Sequence, residues 1–321
     1  MRDGRITRQE ILARVDDRVI IMDGAMGTML RGQGVSGNLS ELNLTDPEWV
    51  ARIHRSYIQS GAELIETNTF SFAASPGQKC CLDKIYELSR RGAEIARKVA
   101  EEKALSFMLS DDNGSKSWKE EWGPQRAIVA GCIGACNQTK DAFRRHAEGL
   151  IDGGADVLLV ESIYDLANAE AALQGIKMAQ GERKEEIPVM ASATIDREGK
   201  ILSGENFRTV FRRLKEYGLF NIGFNCSFGA EAMIPFALSL KDFATDLPVS
   251  ICPSAGLPDN AGKYPEGPAF WASCIGKMRC PDGTPAYSFA GGCCGTTPEY
   301  IRALKSISAP SVPKTGTPGA F

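Results

Sequence analysis

Histidine is nearly missing from this chain: its 321 residues include two, His54 and His146. Both fall in stretches with helical spacing, away from the apolar runs that read as strands. They are therefore read as packing or surface residues rather than ligands. Long apolar runs are missing too. No stretch approaches the ~18 consecutive apolar residues of a transmembrane helix, so a membrane span is not expected. Residues 1–17 are charged throughout and lack the apolar core of a signal peptide, which points to a cytoplasmic protein. An excess of positive charge is also lacking. With 37 basic and 40 acidic residues the net charge is −3, which leaves no electrostatic footprint for nucleic acid. The basic pair Arg144-Arg145 sits in an amphipathic stretch and reads as a solvated helix face.

What the chain does have is an ordinary globular composition, 43% apolar and 24% charged, and ten cysteines. Two adjacent pairs, Cys80-Cys81 and Cys293-Cys294, suit a disulfide framework poorly. Free thiols or metal ligands are the better reading where no export signal is seen.

Short apolar runs, often β-branched and without polar alternation, recur at residues 18–22, 62–67, 127–131, 156–161, 187–193, 221–225, 248–252 and 286–290. Such runs read as strands buried on both faces. Helix signals lie between them, at 46–60, 82–105, 140–152, 165–180, 206–217, 231–243, 268–278 and 298–307. Thr45 or Asp46 caps the first of these, with Pro47 near its start, and Gly181 is expected to end the fourth. Thr7-Arg8-Gln9-Glu10 fits a capping box that opens a short N-terminal helix. Eight strand-helix units predict an α/β protein, a single (β/α)8 barrel over residues 1–307, with a doubly wound sheet as the other arrangement. Residues 106–125 read as a polar insertion, and 271–285 contain a turn before the eighth strand. Residues 308–321, rich in Pro, Ser, Thr and Gly, read as a linker-like or disordered tail.

In such barrels the chemistry sits at the C-terminal strand ends. Three cysteines gather there: Cys226 after strand six, and Cys293 and Cys294 after strand eight. Neighbouring side chains on a strand point to opposite faces. Gly291, Gly292 and Gly295 would let the backbone bend so that both adjacent sulfurs face one ion. Three thiolates with an open fourth position describe a catalytic zinc site. Buried, inert thiols are the competing reading, because a free cysteine also packs as a small apolar residue. Cys132 and Cys136, at the end of strand three, lack a partner pair and make a weak second metal motif.

Asp23-Gly24-Ala25-Met26-Gly27-Thr28, Glu66-Thr67-Asn68-Thr69-Phe70, Asn225-Cys226-Ser227 and Gly291-Gly292-Cys293-Cys294-Gly295-Thr296-Thr297-Pro298 together resemble the homocysteine S-methyltransferase family. Within it the pattern is most similar to the homocysteine-binding module of cobalamin-dependent methionine synthases. The resemblance spans residues 19–307. It implies a (β/α)8 barrel, zinc held by Cys226, Cys293 and Cys294, and methyl transfer to the thiol of L-homocysteine to give L-methionine. It also implies that Glu161 receives the substrate's amino group, with Asp23 as a second candidate. The backbone around Gly24, Ala25 and Thr28 is expected to receive the substrate carboxylate, and Asn225 to orient the metal loop. The implied donor is methylcobalamin, carried by a separate domain or protein, with cobalamin- and folate-binding domains or proteins as partners.

The chain departs from the family pattern after strand three, where Ala135-Cys136 replaces Gly-Pro. This leaves open a stand-alone enzyme that uses S-methylmethionine or another small donor, and a metal-binding barrel without catalysis. Ser162, where betaine-using members carry an aromatic residue, disfavours betaine. A thiol redox role for Cys293-Cys294 is disfavoured because an adjacent pair lacks the Cys-X-X-Cys spacing.

Overall fold

β-Branched and aliphatic residues dominate the eight strands of the computed structural model, which describes residues 4–70, 81–109, 126–134, 139–183 and 186–308. The strands are β1 (Ile20–Ile21), β2 (Leu64–Glu66), β3 (Ile128–Gly134), β4 (Val157–Ile163), β5 (Val189–Ala193), β6 (Asn221–Gly229), β7 (Val249–Ser254) and β8 (Phe289–Ala290). All pair in parallel, in the order β1-β8-β7-β6-β5-β4-β3-β2. A parallel bridge between Met22 and Leu64 joins the two ends of that order. There the Asp23 N–H donates to Leu64 O at 3.0 Å and the Glu63 N–H to Ile21 O at 2.7 Å. A doubly wound sheet would leave two open edges, so the (β/α)8 barrel is the fold.

Alternation along each strand divides the core. Ile20, Met22, Leu64, Ile128, Val157 and Leu159 fill the barrel interior, while Ile21, Ile65, Val129, Leu158 and Val160 pack under the surrounding helices. Those helices are α1 (Arg8–Asp17), α2 (Met26–Gly32), α3 (Leu42–Thr45), α4 (Pro47–Gln59), α5 (Leu82–Leu109), α6 (Lys140–Asp152), α7 (Leu166–Arg183), α8 (Phe207–Lys215), α9 (Ala230–Phe243), α10 (Pro268–Gly276) and α11 (Pro298–Ile307). The expected capping box forms at α1: Glu10 N–H donates to Thr7 Oγ1 at 3.3 Å, and Thr7 N–H to Glu10 Oε2 at 2.6 Å. Buried Ile11 of α1 joins the interior cluster. Beside it, buried Asp156 accepts from Ile6 N and Val129 N at 2.8 Å and pairs with Arg126 at 2.6 Å. These contacts close the N-terminal end of the barrel, so the opposite mouth is left for chemistry.

His54 in α4 and His146 in α6 are buried, as packing residues. Gly149 lets α6 approach α5 closely; a Cβ there would lie 2.4 Å from the Tyr86 carbonyl oxygen. Three local expectations change. α7 does not stop at Gly181 but continues to Arg183, whose guanidinium holds Asp152 at 2.9 and 3.0 Å. β3 runs on to Gly134, where its N–H donates to Phe70 O at 2.9 Å. The polar stretch expected from residue 106 begins inside α5, and the rest of it lies outside the described residues. The turn before β8 is present, with Cys280 N–H donating to Thr284 O at 2.8 Å. Cys80, Cys136 and the tail from residue 309 lie outside the described residues.

Candidate metal centre

Cys226, Cys293 and Cys294 meet at the mouth. Their sulfurs all lie within 4.8 Å of one another, and Cys226 Sγ and Cys294 Sγ are 3.5 Å apart. Zn–S bonds of about 2.3 Å in a tetrahedron place sulfurs about 3.8 Å apart, so the set fits one zinc ion. Backbone strain makes this meeting possible. Cys226 and Ser227 hold φ of +52° and +46°, left-handed values that cost a non-glycine residue energy. The register of β6 against β7 shifts between Cys226 and Gly229 as a result. At the other strand end Gly295 takes φ +80°. There Cys293 N–H donates to Pro253 O at 3.0 Å, and Ala255 N–H to Cys294 O at 2.9 Å. Both bonds tie the cysteine pair to β7, the strand between the two sulfur-bearing ones.

Two further residues hold this frame. Asn225 accepts from Ser162 N at 3.1 Å and from Ser192 Oγ at 2.9 Å. Its Nδ2 donates to Ser162 Oγ at 2.7 Å and lies 4.0 Å from Cys293 Sγ. It thus links β4, β5 and β6 to the metal loop. Tyr264, in the segment after β7, lays its ring over Gly295, where a Cβ would fall 2.2 Å from Tyr264 Cγ.

Acidic groups line the mouth beside the sulfurs. Glu66 ends β2 and Glu161 lies near the end of β4; their carboxylates and Cys132 Sγ lie within 4.8 Å of one another. The Cys132 thiol donates to Glu161 Oε1 at 2.6 Å, and Asn225 Nδ2 reaches Glu161 Oε2 at 3.5 Å. Buried Asp23 accepts from Glu66 N at 3.0 Å. Among the described residues no ion pair joins Lys, Arg or His to Asp23, Glu66 or Glu161. Burial pushes Glu161 up to about 7. Glu66 is raised by burial and then by the charges of Glu161 and Asp23, and Asp23 by burial and Glu161. The region therefore favours an incoming cation.

A profile of the homocysteine S-methyltransferase family matches residues 20–308. The chain belongs to the homocysteine S-methyltransferase family. It is 34% identical over 312 residues to the methionine synthase of Mycobacterium leprae (strain TN), and 33% over 319 residues to that of Mycobacterium tuberculosis (strain ATCC 25618 / H37Rv). These matches take in 94% and 96% of this chain but 25% and 26% of those enzymes, so the chain spans about a quarter of their length. The apo homocysteine methyltransferase MmuM of Escherichia coli shares the fold, with a TM-score of 0.66 and 24% identity over 91% of this chain and 96% of that one. Its metallated form gives 0.65 and 21% over 90% and 96%.

In this family member the three thiols do not ionise alike. Hydrogen bonds from Cys226 and Cys293, aided by Tyr264, lower Cys294 to about 3 despite burial. Cys293 is raised by its hydrogen bonds to Cys226 and Cys294 and by burial. One thiolate solvated by two thiols is a ready start for a cation that displaces their protons.

The strand-one turn serves the frame as well. Ala25 N–H, expected to face substrate, donates to Thr296 Oγ1 at 3.2 Å, and Thr28 Oγ1 accepts from Gly295 N at 3.2 Å. Gly24 leaves no room for a side chain, since a Cβ would sit 2.7 Å from Thr296 Oγ1. Tyr57 OH bonds both Ala25 O, at 3.0 Å, and Thr296 O, at 3.2 Å. The sequence reading did not single out Glu66 or Tyr264 as site residues, and took Cys132 only as half of a weak metal motif with Cys136. Glu66 carried a signal, a strand-end carboxylate opening Glu-Thr-Asn-Thr-Phe; Tyr264 carried none.

Proposed function

We propose that this barrel binds zinc through Cys226, Cys293 and Cys294 and uses it to methylate the thiol of L-homocysteine, giving L-methionine. The observation that carries the reading is the meeting of three sulfurs beside the carboxyl groups of buried Asp23 and partly buried Glu66 and Glu161. A substrate with a thiol at one end and an ammonium at the other matches both. A free thiol with pKa near ~8.5 is mostly protonated at neutral pH. When bound, zinc supplies a Lewis-acid position at which a thiol is held as its thiolate.

The chain's own residues do the rest. Glu161, backed by Glu66 and Asp23, draws the ammonium group into the mouth. Cys132 and Asn225, one on each oxygen, fix the direction of the Glu161 carboxylate. N–H groups in the first turn of α2 have no partner within their helix and can receive the substrate carboxylate. Asn225 also holds the β4 and β6 ends in register, so that the ammonium and thiol positions keep a fixed spacing. For the donor we favour methylcobalamin on a separate domain or protein, because the chain matches one quarter of methionine synthases that are four times its length.

Metal analysis of the purified protein tests the site: about one zinc per chain is expected, and Cys294→Ala should lose it. Homocysteine added to the zinc form should release a proton. A wild-type protein that binds no zinc, or zinc whose coordination homocysteine leaves unchanged, refutes the reading. Methylcobalamin and S-methylmethionine assayed side by side decide the donor.

A further inference from the structure

A substrate held at both ends would reach across two turns that lie far apart in the chain. The turn after β1 carries the Asp23 carboxyl and leads into α2, and the turn after β8 carries Cys293 and Cys294. Tyr57 joins the two from a third element. α4 runs back from the mouth, and helical side chains lean toward their helix N-terminus, so the fully buried Tyr57 ring points up at the mouth. There its hydroxyl shares one hydrogen between Ala25 O, at 3.0 Å, and Thr296 O, at 3.2 Å. A second tie runs beside it: Ala25 N–H donates to Thr296 Oγ1 at 3.2 Å, and Thr296 Oγ1 donates to Cys293 O at 2.7 Å. The turns are tightly packed here. A Cβ on Gly24 would lie 3.0 Å from the Tyr57 hydroxyl, and one on Gly292 would lie 2.3 Å from Thr296 Oγ1.

We propose that Tyr57 is a positioning residue for substrate, its hydroxyl tying the strand-one turn to the strand-eight turn and so setting the distance from the amino-acid end of the mouth to the metal. The inference rests on the reading of the mouth as a homocysteine site with zinc on the three cysteines. Only a short methylene chain separates the thiol of homocysteine from the carbon that bears its ammonium and carboxylate. A ligand this short is held at both ends only where the two ends of the site keep one spacing. The sulfurs and the strand-one turn stand on different strands, so that spacing depends on what joins their turns. Tyr57 acts through the two carbonyl groups that it bridges. Its ring and hydroxyl are separable: phenylalanine keeps the ring in its buried slot and leaves both carbonyl oxygens without that donor.

The test loads wild type, Tyr57→Phe and Thr296→Val with zinc and measures the binding of homocysteine and of propanethiol, which has the thiol without the amino-acid end. In Tyr57→Phe, homocysteine affinity should fall about 10-fold, the worth of one hydrogen bond, while propanethiol affinity stays within about 2-fold of wild type. A purely structural role would weaken both thiols alike or neither, so the ratio of the two affinities reads the spacing. Thr296→Val cuts the second tie and should shift the ratio in the same direction. A zinc-loaded Tyr57→Phe protein with the wild-type ratio overturns the proposal, as does Thr296→Val with that ratio if Tyr57→Phe does not fold. Wild type that binds no zinc, or binds homocysteine no better than propanethiol, fails the reading of the site itself. Wild type that prefers homocysteine, with a Tyr57→Phe protein that prefers it equally, fails this inference alone.

Discussion

Replacing Glu161 with glutamine removes a charge that the empty site accommodates poorly. Burial raises this carboxyl from its ordinary 4.5 to about 7, with Cys294 adding to the rise and the Cys132 hydrogen bond opposing it. A raised carboxyl pKa means that the folded chain holds the proton more tightly than the unfolded chain. Its contribution to stability is complete below pH 4.5 and is lost as pH rises through about 7. At about 1.4 kcal/mol per pH unit, the ionised carboxylate costs the metal-free, substrate-free fold about 3 kcal/mol at pH 8. Glutamine keeps the shape without the charge. Urea denaturation of both proteins at pH 5 and pH 8 is the assay. Glu161→Gln should lie within about 1 kcal/mol of wild type at pH 5 and exceed it by about 2–3 kcal/mol at pH 8. The same variant should lose homocysteine binding, because the ammonium group loses its partner. A Gln variant less stable than wild type, or a difference that does not change with pH, refutes the reasoning. Stability and binding should therefore move in opposite directions at this residue.

Two other outcomes separate the fold from the site. His54 is fully buried, neither ring nitrogen has a partner, and burial lowers it to about 3. The unfolded chain takes up this proton near pH 6.5 and the folded chain does not, so stability is lost as pH falls below that value. Between pH 7.5 and 5.5 His54→Leu should remove about 1 kcal/mol of the acid loss, measured by denaturation midpoints; an unchanged slope counts against a neutral, unpartnered ring. Gly149→Ala should destabilise by about 1–3 kcal/mol through its collision with the Tyr86 carbonyl, and leave metal content per folded chain unchanged.

The barrel was legible because its strands are apolar on both faces and its helices are bounded by caps and glycines. The cysteines were legible because rare residues recurred at strand ends beside glycine. Other features depend on register, which spacing along one strand does not carry. Glu66 sits opposite Ala130 of β3, and Gly134 sits opposite Glu161, which brings both carboxylates to the mouth. Cys132 reads as half of a weak metal motif with Cys136 until that pairing directs it at Glu161. Ala25 was expected to face substrate, but its N–H is taken by Thr296, 271 positions away. α7 passes Gly181 because nothing crowds that position and Arg183 finds Asp152 on the neighbouring helix. Tyr264 lies in a segment with no periodicity, two residues before Glu266, which accepts from Ala230 N and from Tyr300 OH.

Cys226 and Cys294 are 68 positions apart, and the whole of β7 lies between them. An ion gripping both would act as a removable cross-link that closes this long loop, much as a disulfide does. Chelation should then loosen the last third of the barrel first. Amide exchange would quicken in β6, β7 and the turn after β8, while β3 and β4, remote along the chain from the clasp, would keep their protection.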